Sequence, residues 1–315
     1  MQQLRGYFFW MKIKGKLKNI PVFYPLTRYI KWRLIRPLHS FFWMKRKDLE
    51  YFLKKKGVLT WSQNDSKINL LKDVKKGAVA FVIGNGPSLK ACDLDAIADL
   101  GVYCFAANRI NLIFDQTKWR PNCYLALDRQ IYRNGDLTIS NMMKENLEQY
   151  VFGKEVFDGL SLEYKEKNNV AFTSLKPNSY YQKIDEFSTC QQKYSINGFT
   201  VTYIAMQLAY YMGFKNIYLL GVDCNYSRQI KSNGMIVEKS SSPTYFSSKY
   251  DSQNANLGYM DGMLQSYETA QLFSKKTNGE FNIYNATRGG NLEIFERINL
   301  DELIQSMKNG NQLCK

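Results

Sequence analysis

The chain has 315 residues, 45% of them hydrophobic and 23% charged, the profile of a globular protein with room for one large α/β domain and an appendage. Its net charge of +15 is lopsided: residues 1–60 hold 15 of the 43 basic residues but only 2 of the 28 acidic ones, so the rest of the chain is nearly neutral. The single histidine, His39, lies in that basic segment and the six cysteines form no C-x-x-C pair. This excludes histidine triads, Cys-His dyads, His-rich metal sites, zinc ribbons and thioredoxin-type centres from the rest of the chain, and the reading is a reduced, cytosolic protein.

In chain order, residues 1–56 come first, a tail in which aromatics alternate with cations: Tyr7–Trp10 before Lys12, Lys14, Lys16 and Lys18, then Trp32 and Phe41–Trp43 among Lys31, Arg33, Arg36 and Lys45–Lys47. Pro21, Pro25 and Pro37 are expected to divide it into short helices. It holds neither a bilayer-spanning apolar run nor a cleavable signal pattern. Three readings stay open: interfacial helices on an anionic membrane, nucleic-acid binding (the least expected), and a helical subdomain packed on the core. The polar stretch 57–76 reads as a linker, so the expected division is 1–76, a basic aromatic-rich helical extension and linker, and 77–315, the main domain.

From Ala78 the pattern becomes strands alternating with helices. Ala78–Ile83, Val102–Ala107, Cys123–Leu127, Val170–Thr173, Asn216–Leu220 and Phe281–Tyr284 read as strands. Asp93–Leu100, Asn141–Tyr150, Gly198–Met212 and Asp261–Lys276 read as helices. The expected fold is therefore a doubly wound, mostly parallel, Rossmann-like α/β sheet. The Ser-, Asn- and Tyr-rich stretch at about 225–260 is long enough to be a lid.

Ligands of such sheets bind where the strands end, which selects Gly84–Ser88, Asn108-Arg109, Asp128-Arg129, Asp223–Tyr226 and Asn285–Gly290. All five follow apolar strands, yet all are polar or glycine-rich. In Gly84-Asn85-Gly86-Pro87-Ser88-Leu89 the glycines allow close backbone approach to a phosphate or ribose, and Pro87 fixes the loop. It is neither a dinucleotide fingerprint, because Leu89 replaces the third glycine, nor a P-loop, because no Gly-Lys-Ser/Thr follows.

That opening motif, together with Ser195-Ile196-Asn197-Gly198, the segment Ile217–Asp223 and the closing Tyr284-Asn285-Ala286-Thr287, resembles bacterial family 42 sialyltransferases. It equally resembles the related domain of hydroxymethylpterin pyrophosphokinase-like proteins and flagellin nonulosonate-transfer accessory proteins. The resemblance covers roughly residues 78–300. It implies a metal-independent, inverting glycosyltransferase that needs no cofactor and moves an acidic nonulosonate from a CMP-sugar to a surface-glycan or lipid-linked acceptor. Gly84, Asn85, Gly86, Pro87 and Ser88, with Asn108, Ser195, Asn197, Gly198 and Tyr226, would hold the donor. The histidine base of the sialyltransferase lid is missing, and Thr244-Tyr245-Phe246 stand near its place. The candidates left for catalysis are Asp128, which is preferred, Asp223, Asp251 and Tyr245, although a phenol is a poor base near neutrality. The pterin branch implies instead a pyrophosphokinase needing Mg²⁺ on Asp128 and Asp223, and a non-catalytic nucleotide-binding module is a third reading. The expected location is cytoplasmic, peripheral on the inner membrane face, with no resident metal in the first reading.

Overall fold

The computed structural model describes residues 29–127, 137–178, 182–231, 235–238, 243–251 and 257–310. Its centre is an eight-stranded sheet of order β13-β12-β8-β1-β2-β3-β4-β5, parallel at every pairing. The strands are β1 (Val79–Ile83), β2 (Tyr103–Ala107), β3 (Cys123–Ala126), β4 (Gln149–Gly153), β5 (Val170–Thr173), β8 (Asn216–Leu220), β12 (Asn282–Asn285) and β13 (Glu296–Arg297). A short pair, β6 (Leu175–Lys176) with β7 (Ser195–Ile196), and a small sheet of β9 (Arg228–Ile230), β10 (Ile236–Glu238) and β11 (Leu257–Gly258) stand apart.

Alternation along the strands supplies both cores. Ala80 and Val82 of β1 face one way, with Phe105, Leu125, Ile217 and Leu219, against the helices Val201–Tyr211 and Met260–Lys276. Phe81 and Ile83 face the other way, with Ala106, Tyr124, Tyr218 and Leu220, against Ala91–Ala98, Thr138–Lys144 and Leu300–Lys308. The sheet is thus covered on both faces, as the continuous apolar strands require. The chain builds outward from β1 through β2 to β5, then crosses to β8 on the other flank of β1. The crevice of this doubly wound fold therefore opens beyond the carboxyl ends of β1 and β8.

Three sequence readings need correction. The stretch Asn141–Tyr150 is not one helix: the helix ends at Lys144, and Gln149 begins β4, whose five residues are all buried. The stretch read as a linker contains the helix Gln63–Asn69, started by a reciprocal Ser62–Asp65 capping box. Its Asn64 side chain exchanges two hydrogen bonds with Phe172 of the edge strand β5, donating to the carbonyl at 2.9 Å and accepting from the amide at 2.8 Å. One side chain thereby closes part of an open sheet edge. Finally, Pro37 does not break the tail. The helix Arg36–Lys55 carries it in its first turn and continues a π-helical stretch, Lys31–Ile35, where a helix absorbs such a mismatch. Pro21, Pro25 and the rest of residues 1–28 lie outside the described residues.

Candidate functional site

The turn Gly84–Leu89 lies directly beside the strand end Gly221–Asp223. Gly84 donates its amide to Leu220 O at 2.7 Å, and Gly86 donates to Gly221 O at 2.8 Å. A β-carbon on Gly84 would overlap the Gly221 carbonyl, and one on Gly86 would overlap the Asp223 carboxylate. Both glycines are thus explained by packing within the chain, Gly84 against backbone and Gly86 against the Asp223 side chain and the Gly221 carbonyl. Pro87 sits between this contact and Ser88, whose Oγ donates to Asp223 Oδ2 at 2.9 Å and whose amide lies 3.4 Å from the same oxygen. Asp223 is only 5% exposed, and burial raises its carboxyl above the usual aspartate range against the pull of the Ser88 bonds. Its place under the turn makes it the group that orders the turn.

Asn85 faces β2, donating Nδ2 to Ala107 O at 3.0 Å, while its buried Oδ1 has no partner among the described residues. Asn108, one residue past β2, adopts a left-handed backbone (φ 56°), a conformation asparagine tolerates, and its carbonyl accepts the Tyr124 hydroxyl at 2.8 Å. The next residue, Arg109, holds its guanidinium 5.5 Å from the Tyr250 ring centre and 3.5 Å from the Tyr250 carbonyl.

The described part of the stretch read as a lid touches this turn. Phe246 donates its amide to Asn85 O at 3.1 Å. Tyr245 stacks on Tyr250 with ring centres 3.9 Å apart and meets Tyr226 edge-on at 6.2 Å. Ser227 and Thr244 close the lid base through hydroxyls 2.9 Å apart. Tyr226 presses its ring on Gly258, where a β-carbon would overlap it. Burial, reinforced by Tyr267 and Cys224, drives the Tyr226 phenol far above its ordinary range, so it is a neutral hydrogen-bond donor rather than a base. The Cys224 thiol is itself pushed up to about 12 by burial and is no nucleophile.

The remaining candidates divide. Ser195 is fully buried, with its Oγ engaged by Thr173 at 2.7 Å and by Gln191, so a ligand would have to displace one of these partners. Gly198 packs against Tyr203 and Ser266 with no room for a β-carbon, and Asn197 Oδ1 accepts the Phe199 amide at 2.9 Å. Phe199 reaches the lid end through Tyr259, ring centres 4.7 Å apart. Asp128 and the side chain of Asp251 lie outside the described residues. Arg109 and Tyr250 were not singled out as site residues from sequence, although Arg109 lay in a selected loop. Tyr250 belongs to the Tyr-rich lid, where it is buried like Tyr259, and its contact with Arg109 is visible only in the fold.

Opposite the lid, Thr287 Oγ1 accepts the Val222 amide at 3.1 Å, and Asn291 donates to Asp223 O at 2.7 Å. Arg288 ties this closing loop to Asp93, in the helix after the turn, by two bonds of 2.9 and 3.0 Å. The crevice is thus held on both flanks. A cavity of about 610 Å³, lined among others by Lys75, Tyr103, Phe214 and Lys215, lies at the opposite, amino end of the sheet.

The family model for 6-hydroxymethylpterin diphosphokinase MptE-like proteins matches residues 58–229, more than half the chain. No curated protein matches. Among solved structures, the chain is similar to the MAf glycosyltransferase from Magnetospirillum magneticum AMB-1, at 15% identity and a TM-score of 0.45, over 79% of this chain and 40% of that one. It thus spans well under half of that protein. It is also similar to the sialyltransferase CstII from Campylobacter jejuni, solved with a substrate analogue, cytidine-5'-monophosphate, at 14% identity and a TM-score of 0.42, over 71% of this chain and 85% of that one.

Proposed function

The chain belongs to the 6-hydroxymethylpterin diphosphokinase MptE-like family, and we propose that it binds a cytidine nucleotide-sugar on the Gly84–Ser88 turn and transfers the sugar, an acidic nonulosonate, to a glycan or lipid-linked hydroxyl. The observation that carries this reading is the clasp of the lid on the turn, Phe246 N to Asn85 O, with Tyr226, Tyr245 and Tyr250 gathered over it. Aromatic faces suit a base or sugar ring, and a neutral buried phenol suits a phosphate oxygen. The choice of cytidine rests on the resemblance of the opening motif.

In this reading the acceptor oxygen attacks the anomeric carbon of the donor. The bond from that carbon to the phosphate oxygen breaks, CMP leaves with the bonding pair, and the acceptor proton passes to a carboxylate. Tyr226 donates a hydrogen bond to the departing phosphate, where charge develops. In this reading Asp223 serves to order the turn, its Oδ2 accepting from Ser88. The base falls to Asp128, which follows β3 in sequence and precedes Arg129.

The family description favours a second reading, a Mg²⁺-dependent diphosphokinase. The described carboxylate it would use is Asp223, whose Oδ2 is already bonded by Ser88 beneath the turn. Ligating carboxylates commonly accept such bonds, but among the described residues no group of three His, Cys, Asp or Glu side chains could hold a metal ion, so no step is routed through magnesium. Incubating the protein with a panel of nucleotide sugars and with ATP plus an alcohol separates the two. CMP released from a CMP-sugar in the presence of chelator supports glycosyl transfer, and AMP formed from ATP only with Mg²⁺ supports the diphosphokinase.

A further inference from the structure

The helix Arg36–Lys55 has two faces of opposite character. Its inner face is docked: Ser40 is fully buried, Trp43 meets Tyr194 edge-on at 5.5 Å, and Lys54 pairs with Asp65 at 2.7 Å. Its outer face carries Leu38, Phe41, Phe42, Leu49 and Phe52, each 49–66% exposed, at the three- and four-residue spacing of one helical stripe. Because the helix is already anchored by its other face, this stripe is not its contact with the sheet domain. Among the described residues no helix is long and apolar enough to cross a membrane.

The charges around the stripe have one sign. Lys45, Arg46, Lys55 and Lys56 are exposed on or beside it, with Lys45 5.6 Å from the Phe41 ring centre and Lys56 5.8 Å from that of Phe52. The two carboxylates of the helix are committed elsewhere, Asp48 to Lys193 and Glu50 to Lys47 and Lys54. A second copy docking through this face would set cations against cations. An anionic lipid surface offers both complements at once, acyl chains for the stripe and headgroup charge for the lysines lying over the rings.

We infer that the outer face of Arg36–Lys55 is an interfacial lipid-binding surface that seats the protein on an anionic bilayer. This surface is separate from the nucleotide turn and holds whether or not the proposed transfer reaction does. The test is co-sedimentation of the full chain with phosphatidylcholine vesicles and with vesicles that also contain phosphatidylglycerol. The protein sediments with the anionic vesicles, weakly with the neutral ones, and high salt removes only part of the binding, because screening acts on the lysines and not on the stripe. Replacing Leu38, Phe42 and Leu49 by serine lowers the partition coefficient about tenfold or more while the melting temperature holds, since these side chains are outside the core. Lys45→Glu with Arg46→Glu abolishes the preference for phosphatidylglycerol. Failure of the full chain to bind anionic vesicles at low salt overturns the inference. So does equal binding by the serine variant, or a serine-sensitive dimer or nucleic-acid complex in a protein that ignores vesicles.

Discussion

Gly86 and Asp223 share one space: the room that a β-carbon on Gly86 would need is filled first by the Asp223 carboxylate, itself held there by Ser88, and then by the Gly221 carbonyl. The two residues are 137 positions apart in the chain, yet they meet because β1 and β8 are neighbours in the sheet. The turn shape therefore depends on this pair. Gly86→Ala is expected to lower stability by about 1–3 kcal/mol through overpacking. In a chain already carrying Asp223→Ala the same change costs less, with a coupling of about 1 kcal/mol or more. Denaturant unfolding of the four proteins measures this, and additive effects would mean that the carboxylate does not set the turn.

Asp223 also makes a pH prediction. Burial raises its folded-state pKa above the ordinary value of 3.8, so the native protein binds this proton more tightly than the unfolded chain. Stability from this group is full below that ordinary value and is lost as pH rises through the raised folded value. Asp223→Asn, which cannot ionise, escapes the loss. The stability of the variant relative to the parent rises with pH across that window, and a difference that stays flat from acid to neutral pH contradicts the assignment.

Tyr226→Phe keeps the ring on Gly258 and removes only the neutral donor. The expected outcome is a fall in kcat of about a hundredfold or more, in the range for losing one oriented donor, with little change in melting temperature. An unchanged kcat would remove Tyr226 from the phosphate.

Asp128→Asn is expected to lower turnover by about a hundredfold or more, the scale of a lost general base, and to flatten the acid limb of the pH–rate profile. Turnover equal to the parent would move attention to Asp251.

Asn64→Ala leaves both backbone groups of Phe172 without their partner at the edge of β5. A loss of about 1–2 kcal/mol is expected. No loss would mean that the Gln63–Asn69 helix contributes nothing to the sheet edge.

The sequence carried the frame of this fold well. The apolar runs that became β1, β2, β3 and β8 end within a residue of their readings, because strands buried on both faces need little else to declare themselves. The placement of the site loops at the carboxyl ends followed from the same pattern. β4 was hidden because its apolar core, Tyr150-Val151-Phe152, is short and follows good helix formers, and burial rather than propensity decides its state. The helices Gln63–Asn69 and Leu300–Lys308 were missed although each carried a capping signal, the Ser62–Asp65 box in one and in the other Asn299, whose Oδ1 accepts the Asp301 amide at 2.9 Å. The burial of Ser195 between Thr173 and Gln191 was not readable, because only the fold brings those three polar groups together.

The most direct measurement is a calorimetric titration of the full chain with CMP in chelated buffer, alongside ATP with and without Mg²⁺. The account predicts CMP binding without metal, and its loss in a variant in which Asn85→Leu replaces the Oδ1, without a partner among the described residues, by an apolar group in a protein that still melts cooperatively. Binding of ATP only with Mg²⁺ and no heat with CMP would contradict it.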